Sequence, residues 1–409
     1  MHNKLFHKDF TLVVIGQMIS LLGNGIVRFA LPLYLLSQTG STSLFGIVMA
    51  ISFLPMIVLM PIGGIIADRV NKRNIMVTLD FLTAVLMVLL YLLMDKVDLV
   101  FLVIITLMLL CGIQGAYQPT VQASIPLLHG KEHLLSANAM INQVSAFSSL
   151  VAPILGGMLF GLWRMTPIII VSGSCFFLSA IMEIFIYIPY SKSQINQNIF
   201  HIVKMDFLDS LAFMRKEKPV ILKSMGIICA FNLFLSSMII VAIPVFITQT
   251  LQLSELLYGF SQGVLAAGGL VGGIVVGVFA KKLNIKKLHL LLLTSSILLV
   301  PIAGALWIGL PPLISYWVIS ISCFFLMSVA TLVTVQMLTF IQEETPIHLR
   351  GKVISCVMTL SMCAQPLGQA IYGFLFDAFW IVPHWIVLLT ALASSSIALS
   401  SKKIFENLG

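Results

Sequence analysis

Apolar runs long enough to cross a bilayer recur from one end of this sequence to the other, and that recurrence decides the fold class. A helix needs about 20 consecutive apolar residues to span the hydrocarbon core. Twelve such spans are expected: Phe10 to Leu36, Leu44 to Ala67, Ile75 to Met94, Leu99 to Ala123, Leu134 to Leu162, Pro167 to Pro189, Pro219 to Gln249, Leu257 to Ala280, Leu288 to Ile308, Pro312 to Ile341, Val353 to Phe376 and His384 to Ser400. Backbone polar groups in lipid must be satisfied internally, which leaves helices or closed barrels. The period-2 alternation with frequent turns that a barrel needs is missing, so the expected fold is all-α.

Composition sharpens this reading. Of 409 residues, 59% are hydrophobic and 9% charged, and the mean hydropathy is +1.07, as in an integral membrane protein. Positive charge tests the span count, because Lys and Arg gather on cytoplasmic loops. With both termini cytoplasmic, all but three of the 23 lysines and arginines fall on one side. The exceptions are Lys96 and Arg164 on opposite loops and Arg28 within a span. A missed or invented helix would scramble that asymmetry. The net charge of +8 then suits the inner-leaflet side of a plasma-membrane protein and calls for no nucleic-acid partner. No A-x-A-like cleavage site follows the first span, which is read as a retained helix.

The chain also repeats. Sliding it by 213 residues sets Gly64 on Gly277, Ala67 on Ala280, Asn71 on Asn284, Phe45-Gly46 on Tyr258-Gly259 and Pro153 on Pro366; at 214, TVQ at 120–122 meets TVQ at 334–336. Two parallel six-helix repeats are expected, 1–190 and 219–409, joined by a cytoplasmic linker at 191–218. Such repeats mark transporters, in which a site between similar bundles faces either side as they rock. One chain suffices for that, so a monomer is expected. In the linker Ile199, Val203, Phe207, Leu211 and Met214 share one helical face, which predicts an amphipathic helix on the inner membrane surface. No G-x-x-x-x-G-K-[ST] loop or soluble nucleotide-binding domain is found, so a gradient must supply the energy.

All six cysteines (Cys111, Cys175, Cys229, Cys323, Cys356, Cys363) fall in spans and are read as small packing residues. His129 and His133 are read as loop residues. Neither a cofactor nor a metal is expected.

The stretch Gly64-x-x-Ala67-Asp68-Arg69-x-Asn71-Lys72-Arg73 resembles the loop motif G-x-x-x-D-[RK]-x-G-[RK]-[RK] of the major facilitator superfamily, with Asn71 in place of the usual glycine. The helix-1 stretch GQMISLLGNGIVRFALPLYLLSQTGS, LLSANAM opening the fifth span, TPIHLRGKV opening the eleventh and FLDSLAFMRKEKP in the linker are similar to its macrolide-efflux and siderophore-export members, a drug:proton antiporter subgroup. The resemblance covers nearly the whole chain. It implies the two-bundle fold and a conformational latch in which Gly64, Asp68, Arg69 and Arg73 work with Arg350 at the start of the eleventh span. The family's antiporter pattern in the fifth span reads Ala139-x8-Ser148-x3-Ala152-Pro153-x2-Gly156-Gly157, with three glycines replaced. The fourth-span motif R-x-x-Q-G reads Cys111-Gly112-Ile113-Gln114-Gly115. Its coupling arginine is gone, so a proton-coupling group must lie elsewhere.

An ionised group in hydrocarbon costs several kcal/mol unless paired or hydrated, so buried charge directs attention to function. Within the spans Arg28, Asp80 and Glu183 qualify. Arg28 shares a helical face with Gln17 and Asn24. It and Glu183 lie on opposite sides of the membrane midpoint, so no direct pair is expected. Glu183 is read either as a proton carrier or as a helix-end carboxylate reaching water. Asp80 is the second coupling candidate, expected to pair with the basic hinge. Gln114, Gln118 and Gln122 form a stripe, as do Gln365 and Gln369. They either orient an amphipathic solute in a cavity or bond helix to helix.

The expected function is proton-coupled export of a hydrophobic or amphipathic compound, macrolide-like; a siderophore exporter or lysophospholipid transporter is the alternative. An enzyme would need converging catalytic groups and none of the histidines falls well inside a span, while a receptor would need a soluble signalling domain.

Overall fold

The computed structural model describes residues 6–129, 132–189, 199–279, 285–346 and 349–406. The side chains of Ile65, Asp68, residues 199–204, Phe279 and Glu406 lie outside that description. Among the described residues every regular element is helical, and twelve helices are long and apolar enough to cross a membrane.

The first six are α1 (Lys8–Thr39), α2 (Thr42–Arg69), α3 (Lys72–Leu93), α4 (Leu99–Leu128), α5 (Leu134–Trp163) and α6 (Met165–Ile184). Local chemistry sets their ends. The N–H of Gly40, left-handed at φ 65°, bonds Leu36 O and ends α1, a conformation that a residue without Cβ adopts at no steric cost. Asp98 opens α4 by accepting the Phe101 N–H at 2.9 Å, satisfying one of the otherwise unpaired first-turn donors. Helix α6 stops at Ile184, short of the expected Pro189. The chain beyond it is held instead by the Tyr187 N–H, which donates to Asp9 at 2.9 Å.

The second set runs Pro219–Thr250, Glu255–Phe279, Ile285–Ile308, Pro312–Glu344, Arg350–Ala378 and Pro383–Glu406. One wide turn, Asn232–Ser236, interrupts the first of these and a second, Val245–Thr250, ends it. Such i→i+5 turns are rare and concentrate at functional sites.

The fold divides into two compact units. One comprises 1–40, 51–199 and 255–263, the other 41–50, 200–254 and 264–409. In the first unit α1 packs against α4, α5 and α6, and glycines bring it close. A Cβ on Gly23 would sit 2.7 Å from the Cys175 Cβ of α6, and one on Gly25 would sit 2.5 Å from the Ala152 Cβ of α5. Lipid offers no hydrophobic drive for helix association, so such close packing must supply it.

In the second unit α7 (Ile199–Lys216), the linker helix, docks onto protein rather than resting its apolar face on lipid. Phe213 and Met214 are buried in a cluster with Ile341, Val353, Val357 and Phe405, while Phe207 and Leu211 pack at its edge. Lys352 bridges Asp206 at 2.6 Å and Asp209 at 3.6 Å, and Lys218 pairs with Glu344 at 2.6 Å. Ile199 and Val203, the rest of the expected stripe, lie among the side chains not described.

Candidate functional site

The strongest polar concentration within the spans is in the first unit, where α1, α3, α4 and α6 meet. Asp80 (2% exposed) and Glu183 (0%) are the buried carboxyl groups there. Asp80 sits on α3 in a buried stripe with Met76, Thr83, Ala84 and Met87, so helical periodicity turns it inward. Its Oδ1 accepts the Ser20 hydroxyl of α1 at 2.9 Å. It does not pair with the basic hinge as expected; Arg73 instead bonds the side chain of its neighbour Asn74. Glu183, in the last turn of α6, accepts the Tyr117 hydroxyl of α4 at 2.6 Å and is buried rather than reaching water. Asp80 and Glu183 are near enough for their charges to act on one another. One oxygen of each carboxyl group has no partner among the described residues.

Around this pair the remaining first-unit residues take separate roles. Asn24 donates to the Gln114 side chain at 3.0 Å, so this part of the glutamine stripe bonds helix to helix. Arg28 is half-buried and close enough to Cys111 for its charge to act on that thiol. Gln17 is fully buried, with both amide atoms unpartnered among the described residues. Gln118 is half-buried and Gln122 exposed.

The α5 pattern is used for packing. A Cβ on Gly156 would meet the Phe29 ring at 2.8 Å, and one on Gly157 would meet Glu255 O at 2.7 Å and Gly259 Cα at 3.0 Å. Ala152 faces Gly25 of α1, and Pro153 is accommodated within α5. At the loop motif Asn71 has a role that glycine lacks: its side chain accepts the Arg73 N–H at 3.0 Å and caps α3. The motif's departure from the family pattern is therefore a helix cap. Gly64 is helical, with Pro119 Cβ 4.0 Å from its built Cβ. Asp68 has no described side chain, and the buried Arg350 Nε has no hydrogen-bond partner among the described residues.

In the second unit Gln369 is buried, its Oε1 without a partner among the described residues, and the backbone carbonyl of Gln365 accepts the Ser237 hydroxyl at 2.8 Å. Sequence reasoning missed a cavity there, at the wide turn of the Pro219–Thr250 helix. Leu292, Met337, Ile341 and Val357 line it with Asn232, Ser236 and Ser361, and among the described residues no charged one enters the lining. Asn232 donates to Ser361 O at 2.9 Å and accepts from Ser236 at 3.3 Å. The signal was the amide of Asn232 in the middle of an apolar span.

His129 also departs from its reading as a plain loop residue. It ends α4, is 5% exposed, and packs edge-on against Phe10 at 4.4 Å and beside His7 at 4.9 Å. Burial first, then the neighbouring His7 and His133, hold its imidazole below the ordinary histidine range.

Comparison with known proteins accords with this arrangement. The Major Facilitator Superfamily profile matches residues 13–369. The macrolide efflux protein A of Streptococcus pyogenes is 24% identical over 375 residues, covering 91% of this chain and 90% of that protein. The enterobactin exporter EntS of Shigella boydii is 22% identical over 369 residues, covering 90% and 85%. Among solved structures, a bacterial homologue of the human lysosomal transporter Spinster superposes with a TM-score of 0.75 at 12% identity, over 99% of this chain and 98% of that one. With twelve membrane-length helices and a family match over most of its length, this multi-pass protein of the bacterial plasma membrane belongs to the major facilitator superfamily of transporters.

Proposed function

We propose that the protein is a proton-coupled exporter of a hydrophobic or amphipathic compound of the macrolide kind, working by alternating access between two six-helix repeats, 1–190 and 219–409, with both termini cytoplasmic. The observation that carries the coupling is the pair Asp80 and Glu183, two carboxyl groups buried in one bundle with hydroxyl partners and, among the described residues, no Lys or Arg bonded to either. A dry site disfavours two adjacent negative charges, so the pair holds a proton. The fourth-span arginine of the family is absent, and this pair takes over its task.

Three features support the substrate reading. Relatives include a macrolide efflux protein, the second-unit cavity lining is uncharged, and buried cations are too sparse for a small, densely charged anion, which needs a cationic pocket. Gln17, Arg28, Gln118 and Gln122 are the substrate-contacting candidates of the first unit, and Gln365 and Gln369 those of the second. Half-buried Arg28 and the exporter relative EntS favour a second reading, a siderophore, whose anionic groups would suit the guanidinium.

Inside-out vesicles with an acidic interior and a labelled macrolide test the proposal. Wild type should accumulate label, while Asp80→Asn and Glu183→Gln should lose about 100-fold or more of the gradient-driven rate. Asp68→Asn should slow transport through the proposed latch. No accumulation by wild type would overturn the macrolide assignment, and undiminished accumulation by both carboxyl variants would overturn the coupling assignment.

A further inference from the structure

In the second unit the start of the Pro219–Thr250 helix packs against the last helix, Pro383–Glu406, and a pocket of about 350 Å³ opens between them. Lys223, Gly226 and Ile227 line one wall, and Ser396, Ser400 and Ile404 the other. Lys403 follows Ser396 and Ser400 at spacings of seven and three, which sets it on the same helical face. Both lysines are exposed. Neither takes part in an ion pair among the described residues, and no carboxylate enters the lining. The two serines spend their hydroxyl hydrogens on their own helix: Ser396 donates to Leu392 O at 2.9 Å and Ser400 to Ser396 O at 2.8 Å. Their oxygens stay open as acceptors. Gly226 supplies the space, for a Cβ there would meet no neighbouring atom within 4 Å.

Away from the lysines the same two faces turn apolar. On the last helix Leu389, Ala393, Ser396 and Ser400 recur at spacings of four, three and four; on its neighbour Ile227, Ala230 and Phe234 recur at three and four. Each set forms one stripe. Phe234, Leu389 and Ala393 line a second groove, which begins about 10 Å beyond Ser400 at the helical rise of 1.5 Å per residue.

We propose that this pocket binds an anionic phospholipid with a hydroxylated headgroup, of the phosphatidylglycerol class. The phosphate sits between Lys223 and Lys403, the glycerol hydroxyls donate to Ser396 and Ser400, and one acyl chain lies past Ile227 and Ala230 toward Phe234. In the orientation proposed above this end meets the cytoplasmic leaflet, whose anionic lipids attract basic residues at the ends of spans. Bulk lipid covers any apolar stripe, but it calls for neither two unpaired lysines at the end of that stripe nor a glycine that leaves a hole. A free phosphate ion accounts for the lysines and leaves the stripe unexplained. The site stands apart from Asp80 and Glu183, so it holds whatever the substrate and the coupling ion are.

The test uses the full chain, purified in mixed micelles of phosphatidylglycerol and phosphatidylcholine, with native mass spectrometry counting the lipids retained. Wild type should retain phosphatidylglycerol in preference. A lysine beside an anionic headgroup is worth about fivefold in binding, so Lys223→Ala and Lys403→Ala should each weaken retention by about that factor. Lys72→Ala, at the start of α3 in the other unit, should leave it unchanged. Gly226→Leu keeps every charge and fills the pocket, so it should lose the lipid while melting at the wild-type temperature in lipid-free detergent. A ligand that binds only the folded state stabilises it by mass action; phosphatidylglycerol should therefore raise the melting temperature of wild type and not that of Gly226→Leu. Equal retention of the two lipids by wild type, or undiminished phosphatidylglycerol on Gly226→Leu, would overturn the site. Displacement of the lipid by excess inorganic phosphate would overturn the lipid as occupant and make this a pocket for a free anion.

Discussion

At the scale of the residue, His129 sets a pH limit on stability. Its folded-state pKa is lowered by burial and by His7 and His133, so the unfolded chain binds its proton more readily than the folded one. Stability is full above the ordinary histidine value of about 6.5. It falls as the pH drops through that value toward the lower folded one. Melting temperatures in detergent should therefore decline from pH 7.5 to 5.5 in wild type and decline less in His129→Leu; an equal decline in both would remove His129 as the cause. This role was not legible in the sequence, because Phe10 and His7 are about 120 residues away along the chain and no local pattern couples them to a loop histidine. Asp80 is the opposite case. Its inward stripe with Met76, Thr83, Ala84 and Met87 is visible in the spacing, but nearness in sequence to Arg69, Lys72 and Arg73 argued for a hinge partner. Helical phase decided the matter over proximity, since a side chain two turns from the hinge takes the partner its face presents.

At the scale of the element, close contacts between helices set the tolerance to substitution. Gly157 admits no Cβ, with Glu255 O at 2.7 Å and Gly259 Cα at 3.0 Å, whereas a Cβ on Gly161, one turn on, would find its nearest neighbour, the Leu256 nitrogen, at 3.9 Å. Gly157→Leu should abolish the yield of folded, monodisperse protein and Gly161→Ala should leave it unchanged; comparable yields would show that α5 shifts freely. The internal repeat is legible here, for Gly46 and Gly259, matched at an offset of 213, both lie against a second glycine: Gly46 against Gly373, and Gly259 against Gly157. The linker helix α7 was legible as amphipathic but not as docked, because periodicity identifies an apolar face without saying whether lipid or protein covers it. Fully buried Met214 makes the docking testable. Met214→Ala should cost about 2–5 kcal/mol, read as a clear drop in melting temperature. Lys352→Ala removes a surface ion pair and should change it little, as such pairs contribute little.

At the scale of the whole molecule, the number of spans was the most legible property. Each span is a local run of apolar residues, and alternating loop charge counts the runs independently. The partners of buried polar groups were the least legible, since Tyr117 meets Glu183, and Ser20 meets Asp80, across 66 and 60 residues respectively. Loop charge carries one further consequence, the orientation of the chain. Lysines and arginines near span ends are retained on the cytoplasmic side during insertion, and here they concentrate at the termini, at the loop motif, around the linker and at Arg350 and Lys352. Lys96 and Arg164 stand on the opposite loops. Single cysteines at Asp95, between α3 and α4, and at Lys403, near the chain end, read this out against the six native cysteines, all of them unpaired thiols. A membrane-impermeant maleimide added to intact cells should label Asp95→Cys and leave Lys403→Cys untouched until the membrane is opened. The reverse pattern would place the basic loops outside. An inside-acid vesicle experiment would then have driven the transporter from its wrong face, and the direction assigned to the flux would have to be inverted with it.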